Sequence, residues 1–305
     1  MGVVAPYSQT EGSAVPYVSL QEVKFSPTAS AVDFTNLIPN ASQTVQDRAL
    51  YELIVRASSM ADTFVYGRLG TFSATVNTEA GRYRPNRYGQ IIVNPHFTPI
   101  LEVQSFNYGT QPGQYTSVPL SNQNCSIERD EFIVTAASGL NATTIYGSLS
   151  IVGGQWAYNT ELFCQYSYVN GFPNTFLSAS SAAGATTISV SSTVGIYAGT
   201  QLNIWDGMND ENVTVLSVGT NSLTLTAGLQ HAHGANTNIS NMPAEVKQAV
   251  IHFIVGMIRE RGQGGLVLNE IGEPVTVGSR STSGEGELML GYDLLEPYKR
   301  IWGRA

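Results

Sequence analysis

His231-x-His233 is the pair in this chain whose residue type and spacing come nearest to metal ligation. It lacks a Cys or carboxylate partner at a familiar local spacing, so a polar loop accounts for it better. Asp206-Gly-Met-Asn-Asp210-Glu211 carries enough acid to interest calcium. It breaks the alternation of a calcium-hand loop, however, and reads as turn chemistry. Glu270 and Glu273 pair two carboxylates in a polar stretch where no burial would tune them for acid–base work. Arg82-Tyr-Arg84-Pro-Asn-Arg87-Tyr interleaves cations and rings, the combination that holds phosphates and stacks on bases. On an acidic chain the same residues suit a hairpin tip, with Arg82, Arg84 and Arg87 pairing with carboxylates of a neighbouring subunit. His252 falls inside a helical pattern and reads as a packed or interface histidine. The sequence contains no G-x-x-x-x-G-K-[ST], H-E-x-x-H, G-x-S-x-G or G-x-G-x-x-G. No catalytic residue, metal or cofactor is therefore expected.

Composition narrows the function classes. The net charge is −8 with only 12% charged residues, so Ser, Thr, Asn, Gln and Gly must cover much of the surface. Such a chain is a poor general binder of nucleic acid, because phosphate neutralisation needs Lys and Arg. Cys125 and Cys164 are the only cysteines and make no disulfide framework. The polar start MGVVAPYSQT does not read as a signal peptide, and no apolar run approaches the roughly 20 residues of a membrane span. A soluble protein made in a reducing cytoplasm is expected. At 305 residues the chain has room for two or three domains.

The elements that must position these residues are organised around Pro243–Gly262. Val246, Val250, Phe253, Ile254, Met257 and Ile258 recur at the spacing of a helix face. Pro243 suits a first turn and Gly262 a helix end. Ile251 and Val255 widen the apolar arc, leaving a polar stripe of Glu245, Gln248, His252, Gly256 and Arg259. An arc that broad predicts cover on two sides, from its own domain and from something else. Around this helix the expected fold is α+β, in six parts. Residues 1–40, with Pro6, Pro16, Pro27 and Pro39, read as an extended arm whose pairs Tyr17–Val18 and Val23–Phe25 could add as strands to a neighbour. A helix over 41–67 follows, with Asn40 or Ser42 as cap and Asp47, Arg48, Glu52, Arg56 and Asp62 on its solvated or partner-facing side.

An antiparallel β domain is expected over 68–177. Its runs are Phe72–Val76, Gln90–Val93, Leu101–Tyr108, Ser126–Val134, Thr144–Ile151 and Leu162–Val169. A small barrel-like insertion over 178–240 carries Thr186–Val190, Gln201–Trp205, Asn212–Val218 and Leu223–Thr226. The core helix then spans 241–262. Residues 263–305 read as a flexible arm ending in a short docking helix, with Leu288, Tyr292 and Leu295 on one face.

A resemblance emerges along this frame. Pro243, Val246, Lys247, Ala249, Arg259, Arg261 and Gly262 form a helix motif similar to the core helix of tailed-bacteriophage, siphophage-type head-to-tail adaptor (connector) proteins. Leu294, Leu295, Pro297, Tyr298, Lys299 and Arg300 resemble the C-terminal signature of the same family. Tyr168-Val-Asn-Gly-Phe-Pro-Asn174 and the Ala-Gly-Ala-Thr-Thr-Ile-Ser-Val and Ala-His-Gly flanks of the insertion are also similar to features of its members. The resemblance covers the chain from about Asn40 and again from Tyr168 to the end. It implies a non-enzymatic virion protein, made in the host cytoplasm and built as a homo-oligomeric, dodecameric ring into the neck. Such a ring docks under the portal protein and receives a stopper or tail protein on its other face. DNA passes its channel without sequence-specific binding, and no membrane is involved. The C-terminal segment would reach into the portal, which assigns Leu294, Leu295, Tyr298, Ile301 and Trp302 to docking. Val250, Ile254 and Ile258 are assigned to helix packing within and between subunits. The rival readings are a stopper or tail-terminator protein, a tail-associated carbohydrate- or receptor-binding β protein, and a tail-associated hydrolase.

Overall fold

The computed structural model describes residues 15–30, 32–67, 70–86, 88–128, 130–135, 161–207, 209–262 and 284–299. The fold is α+β, with antiparallel sheets beside a helical frame. The chain divides into two compact units: Ala74–Gly171 make one, and the segments on either side of it make the other.

The first unit is β structure throughout its described residues. Its strands are β1 (Thr75–Tyr83), β2 (Gln90–Val93), β3 (Ile100–Gln111), β4 (Gln114–Val118), β5 (Cys125–Glu128), β6 (Glu131–Thr135) and β7 (Leu162–Asn170). They form one sheet in the order β1-β7-β3-β4 and a second in the order β2-β6-β5. Leu162, Cys164, Tyr166 and Tyr168 alternate inward along β7, as period-two patterning requires. Phe106 of β3, Tyr166 of β7 and Phe132 of β6 pack at centroid distances of 5.3–6.3 Å, joining the two sheets. The expected run Ser126–Val134 is a hairpin, β5 and β6, and the expected run Thr144–Ile151 lies outside the described residues. Phe72–Val76 is mostly not strand; β1 begins at Thr75 and runs on to Tyr83.

The second unit opens with α1 (Leu20–Phe25), 3-10 turns at Pro27–Ala29 and Phe34–Asn36, and α2 (Gln43–Tyr66). From Val15 onward the expected extended arm is instead folded. Ser19 and Glu22 form a reciprocal capping box, which starts α1 in a segment too short to show a helical period. Tyr17, Val18 and Val23 are buried with Leu50, Ile54, Ala57 and Ala61 of α2 in one core, so the first pair is spent within the chain, while Phe25 of the second stays 53% exposed. Ser42 stands at the α2 cap without a side-chain capping bond. Gln46 does the tying, bonding both the N–H (2.9 Å) and the carbonyl (2.6 Å) of Ile38.

Six more strands follow: β8 (Asn174–Phe176), β9 (Thr187–Ser189), β10 (Gln201–Trp205), β11 (Asp210–Val218), β12 (Ser222–Leu225) and β13 (Asn238–Ser240). They pair antiparallel in the order β8-β13-β10-β11-β12-β9, a curled half-barrel. Its two edges touch at a bridge between Leu177 and Val190. Leu202, Ile204, Val215, Leu223 and Ile239 fill its own core. This sheet belongs to the same compact unit as the helices. The frame closes with α3 (Ala244–Gly262), α4 (Gly284–Leu295) and a 3-10 turn at Glu296–Tyr298. Where the chain leaves this unit and returns to it, Ser73 and Phe172 form a parallel bridge, and Phe172 N–H donates to the Phe72 carbonyl at 2.7 Å.

A buried polar chain joins these pieces. Lys247 of α3 donates to Glu22 of α1 at 2.7 Å and to Asn238 of β13 at 2.9 Å. Asn238 donates to Asn174 of β8 at 2.8 Å, and Asn174 donates to the Pro16 carbonyl at 3.0 Å. Glu22 is almost fully buried, so removing its cation strands a charge away from water. Lys247→Met is expected to cost about 3–5 kcal/mol of unfolding free energy. The double variant Glu22→Gln/Lys247→Met should recover much of that loss in urea denaturation. Strictly additive losses would show that the pair is uncoupled.

Candidate functional site

The helical end of the second unit is where the expected docking and packing residues fall. Val246, Ala249, Val250, Phe253, Ile254 and Val255 of α3 have no exposed surface. The broad apolar arc is covered on both sides by this chain itself, with α2 on one flank and α4 and the Pro27–Ala29 turn on others. The second cover anticipated from the sequence is therefore intramolecular. Val250 and Ile254 lie wholly inside the subunit, and Ile258 is half-buried against the same core.

Helix α4 is fastened to α3 by a close approach and a charged clamp. A Cβ built on Gly291 would lie 2.5 Å from the Phe253 ring and 3.1 Å from the Ala249 carbonyl oxygen, so only glycine lets the helices meet here. Tyr292 packs between Phe64 (4.6 Å) and Phe253 (4.8 Å). Glu287 accepts from Arg259 at 2.5 Å and bonds His252 at 2.7 Å. Gln248 donates to Thr28 at 2.6 Å and lies 3.1 Å from His252, so the polar stripe of α3 is occupied by local partners. His252 is thus a packed histidine at a helix–helix contact.

The expected docking residues divide. Leu295 is fully buried in the helical core, whereas Leu294 and Tyr298 pack on it while half-exposed. Tyr298 sits 5.6 Å from the Phe72 ring, and burial first, then the charge of Glu245, push its hydroxyl pKa up. Lys299 holds its ammonium 3.6 Å from the centroid of Phe64. Ile301 and Trp302 lie outside the described residues. The outer face of α4 instead presents Met289 and Leu290, 51% and 46% exposed. Neither was singled out from the sequence. Their position one turn before Asp293 and Leu294 was the available signal.

The arginine–tyrosine stretch ends β1. Arg82 and Arg84 are exposed, and Arg87 lies outside the described residues. The Arg82 guanidinium lies 5.0 Å from the Phe163 ring and 3.9 Å from Glu161, contacts made within its own chain.

Three clusters of titratable groups could do chemistry, and each is tied up structurally. Glu79 of β1 is buried and accepts from Tyr168 (2.5 Å), Tyr166 (3.0 Å) and the His96 N–H (3.1 Å), while His96 Nδ1 lies at 2.8 Å. Burial pushes the Tyr83 hydroxyl, 2.9 Å from that of Tyr166, up to about 12, and drives Tyr166 higher still. These phenols stay neutral donors. His233 is buried between Asp206 (3.0 Å from Nδ1) and Glu211 (2.7 Å from Nε2). Burial acts to raise the Glu211 carboxyl, but the N–H groups of Gln230 and His231 together with His233 outweigh it and hold the carboxyl below the usual range. Asn209 N–H donates to Asp206 at 2.9 Å, the turn chemistry read from this stretch. No group of three or more His, Cys, Asp or Glu among the described residues is placed to hold a metal ion.

Asp62 makes the third cluster, and it corrects the reading of this residue as a solvated charge. It is 1% exposed and accepts from the Tyr17 hydroxyl and from the Phe72 N–H at 2.9 Å. Tyr17 also meets Thr71 at 2.7 Å. The second carboxylate oxygen of Asp62 has no partner among the described residues. Burial raises the Asp62 pKa to about 7, against the opposing hydrogen bonds of Tyr17 and Phe72.

No protein-family model matches the chain, and no curated protein matches it either. No helix among the described residues is long and apolar enough to cross a membrane.

Two outcomes are expected from this geometry. Gly291→Ala should destabilise by about 1–3 kcal/mol through overpacking, despite the roughly 1 kcal/mol that alanine gains in helix propensity. A rise in melting temperature would contradict the close approach. For Asp62, the folded pKa lies above the unfolded one, so its stabilising share is complete below about pH 4 and is lost as pH rises through about 7. That loss is on the order of 4 kcal/mol. Asp62→Asn keeps the accepting oxygen and cannot ionise, so its stability relative to wild type should climb between pH 4.5 and 7.5. A pH-independent difference in urea unfolding would refute the assignment.

Proposed function

We propose that this chain is a structural subunit of a tailed-bacteriophage neck, a head-to-tail adaptor that docks beneath the portal. The observation that carries the reading is the α3-centred frame with its C-terminal helix. The frame seals α3 within the subunit and turns the apolar side chains Met289 and Leu290 outward on α4. Isolated exposed apolar residues are ordinary, but here two neighbours share the outer face of the element that ends the frame, next to half-exposed Leu294 and Tyr298. The motif residues of the resemblance have structural work in this frame. Lys247 anchors α1, Arg259 clamps α4, and Tyr298 caps the Phe72 ring.

In this reading the subunits form a homo-oligomeric ring, a dodecamer in register with the portal. The C-terminal segment contacts the portal through the exposed sides of Leu294 and Tyr298, through Met289 and Leu290, and through Ile301 and Trp302. Leu295 holds α4 in place and contacts no partner. The opposite face of the ring receives a stopper or tail protein. The net charge of −8 suits a conduit that DNA crosses without sticking. The role is mechanical, without catalysis or cofactor.

The test is negative-stain imaging and pull-down of the chain with the portal encoded in its own genome. Deleting all of α4 would strip core residues, so two gentler variants are used: truncation after Lys299, and Met289→Asp/Leu290→Asp. Wild type should add a ring to the narrow end of the portal. Both variants should lose that addition while melting like wild type. Absence of any wild-type association would overturn the adaptor reading, and association that survives both changes would move the docking contact off α4.

A further inference from the structure

The second unit contains an open cleft of about 640 Å³ between the start of the described chain, α2 and the curled sheet. Its rings are Tyr51 of α2, 43% exposed, and Phe176 at the end of β8. Its polar side chains include Gln21, Ser191, Asp206 and Asn236. Among the described residues no Lys or Arg lines it, so they offer phosphate, carboxylate and sulfate ligands no counter-charge. Among the described lining residues the one carboxylate is Asp206, and it bonds His233 and Asn209.

Backbone groups at the β8 end of the cleft wall are paired within the chain. Phe176 N–H donates to the Ser191 hydroxyl at 3.3 Å, and its carbonyl accepts from Ser191 N–H at 2.9 Å. Asn236 N–H donates to the Leu177 carbonyl at 2.8 Å, and the Thr237 carbonyl accepts from Leu177 N–H at 3.0 Å. A peptide adding as a strand needs free main-chain groups, and the β8 end of this wall, Phe176 and Leu177, has its own paired. Side chains are the remaining means of recognition there. The amides of Gln21 and Asn236 are exposed and carry both donors and acceptors.

We propose that the cleft formed by Tyr51, Phe176, Gln21, Asp206 and Asn236 binds a neutral saccharide. A pyranose has one apolar C–H face, which seats on the negative face of an aromatic ring. Its hydroxyls both donate and accept, matching two amides and a carboxylate. The volume falls within the range of about 300–1,000 Å³ typical of small-molecule sites. This activity is independent of the adaptor reading.

The experiment follows backbone amide signals of the full isotope-labelled chain during titration with glucose, N-acetylglucosamine, maltose and chitobiose. Glucose 6-phosphate and a synthetic peptide of residues 1–14 are titrated in parallel. At least one neutral sugar should produce saturable shifts at Gln21 and Asn236, with a dissociation constant in the millimolar range, about 1 mM. Tyr51→Ala removes an exposed ring, should leave the melting temperature unchanged, and should weaken binding at least about tenfold. Glucose 6-phosphate should bind more weakly than glucose. The proposal is overturned if none of the four sugars gives saturable shifts, if Tyr51→Ala binds as tightly as wild type, or if the peptide alone saturates the cleft.

Discussion

The ammonium of Lys247 is the point on which the second unit turns. It reaches a carboxylate from α1 and an amide from β13, and through that amide it touches β8 and the segment around Pro16. Elements that are far apart in sequence therefore share one partly buried charge. The burial would be unfavourable if any partner were missing, because an unpaired charge in a low-dielectric interior is expensive. Two of the three donors of Lys247 are paired with Glu22 and Asn238, and that pairing favours the mutual placement of α1, the sheet and α3 that brings both partners together. Hydrophobic burial of Tyr17, Ile54, Val250 and Phe253 supplies the driving force. The polar chain fixes the register in which that burial occurs.

The first unit uses the same device with a different chemistry. Its β1 strand turns Asn77 and Glu79 inward and leaves Val76 substantially exposed, the reverse of an ordinary amphipathic strand. Glu79 gathers two tyrosine hydroxyls and a histidine, converting an inward carboxylate into a staple across β1 and β7. Buried polar networks of this kind specify a fold well when every donor is matched.

These two networks explain what the sequence disclosed and what it concealed. The core helix was legible because its apolar residues recur locally, and the strands β2, β3, β7, β10 and β11 were legible because Val, Ile, Leu and Tyr mark them. The strand β1 was misplaced because its buried positions are Asn77 and Glu79, which no hydrophobic period can flag. Helix α1 was missed because it has six residues, and its one local sign was the Ser19–Glu22 box. Asp62 looked solvated because the group that buries it, Tyr17, lies 45 residues earlier. The cover over α3 was foreseen, but its source was not. Whether a broad apolar arc meets another subunit or the chain's own α4 depends on Gly291 and Glu287, beyond the reach of periodicity. The cleft was illegible for the same reason: Tyr51, Phe176 and Asn236 converge only through the fold.

The parallel bridge between Ser73 and Phe172 has a bearing on how this architecture can diversify. It holds the departing and returning ends of the chain side by side on the frame, so residues 74–171 are clamped at their base like a loop with a closed stem. The entropy of closing a loop grows only logarithmically with its length. Once the stem is closed, the frame is nearly indifferent to how much polypeptide hangs from it. A descendant could trade this β unit for a tight turn, or for another domain with neighbouring ends, without renegotiating the helices. The stem makes the insertion an exchangeable cassette, and its size is free to drift while the frame stays still.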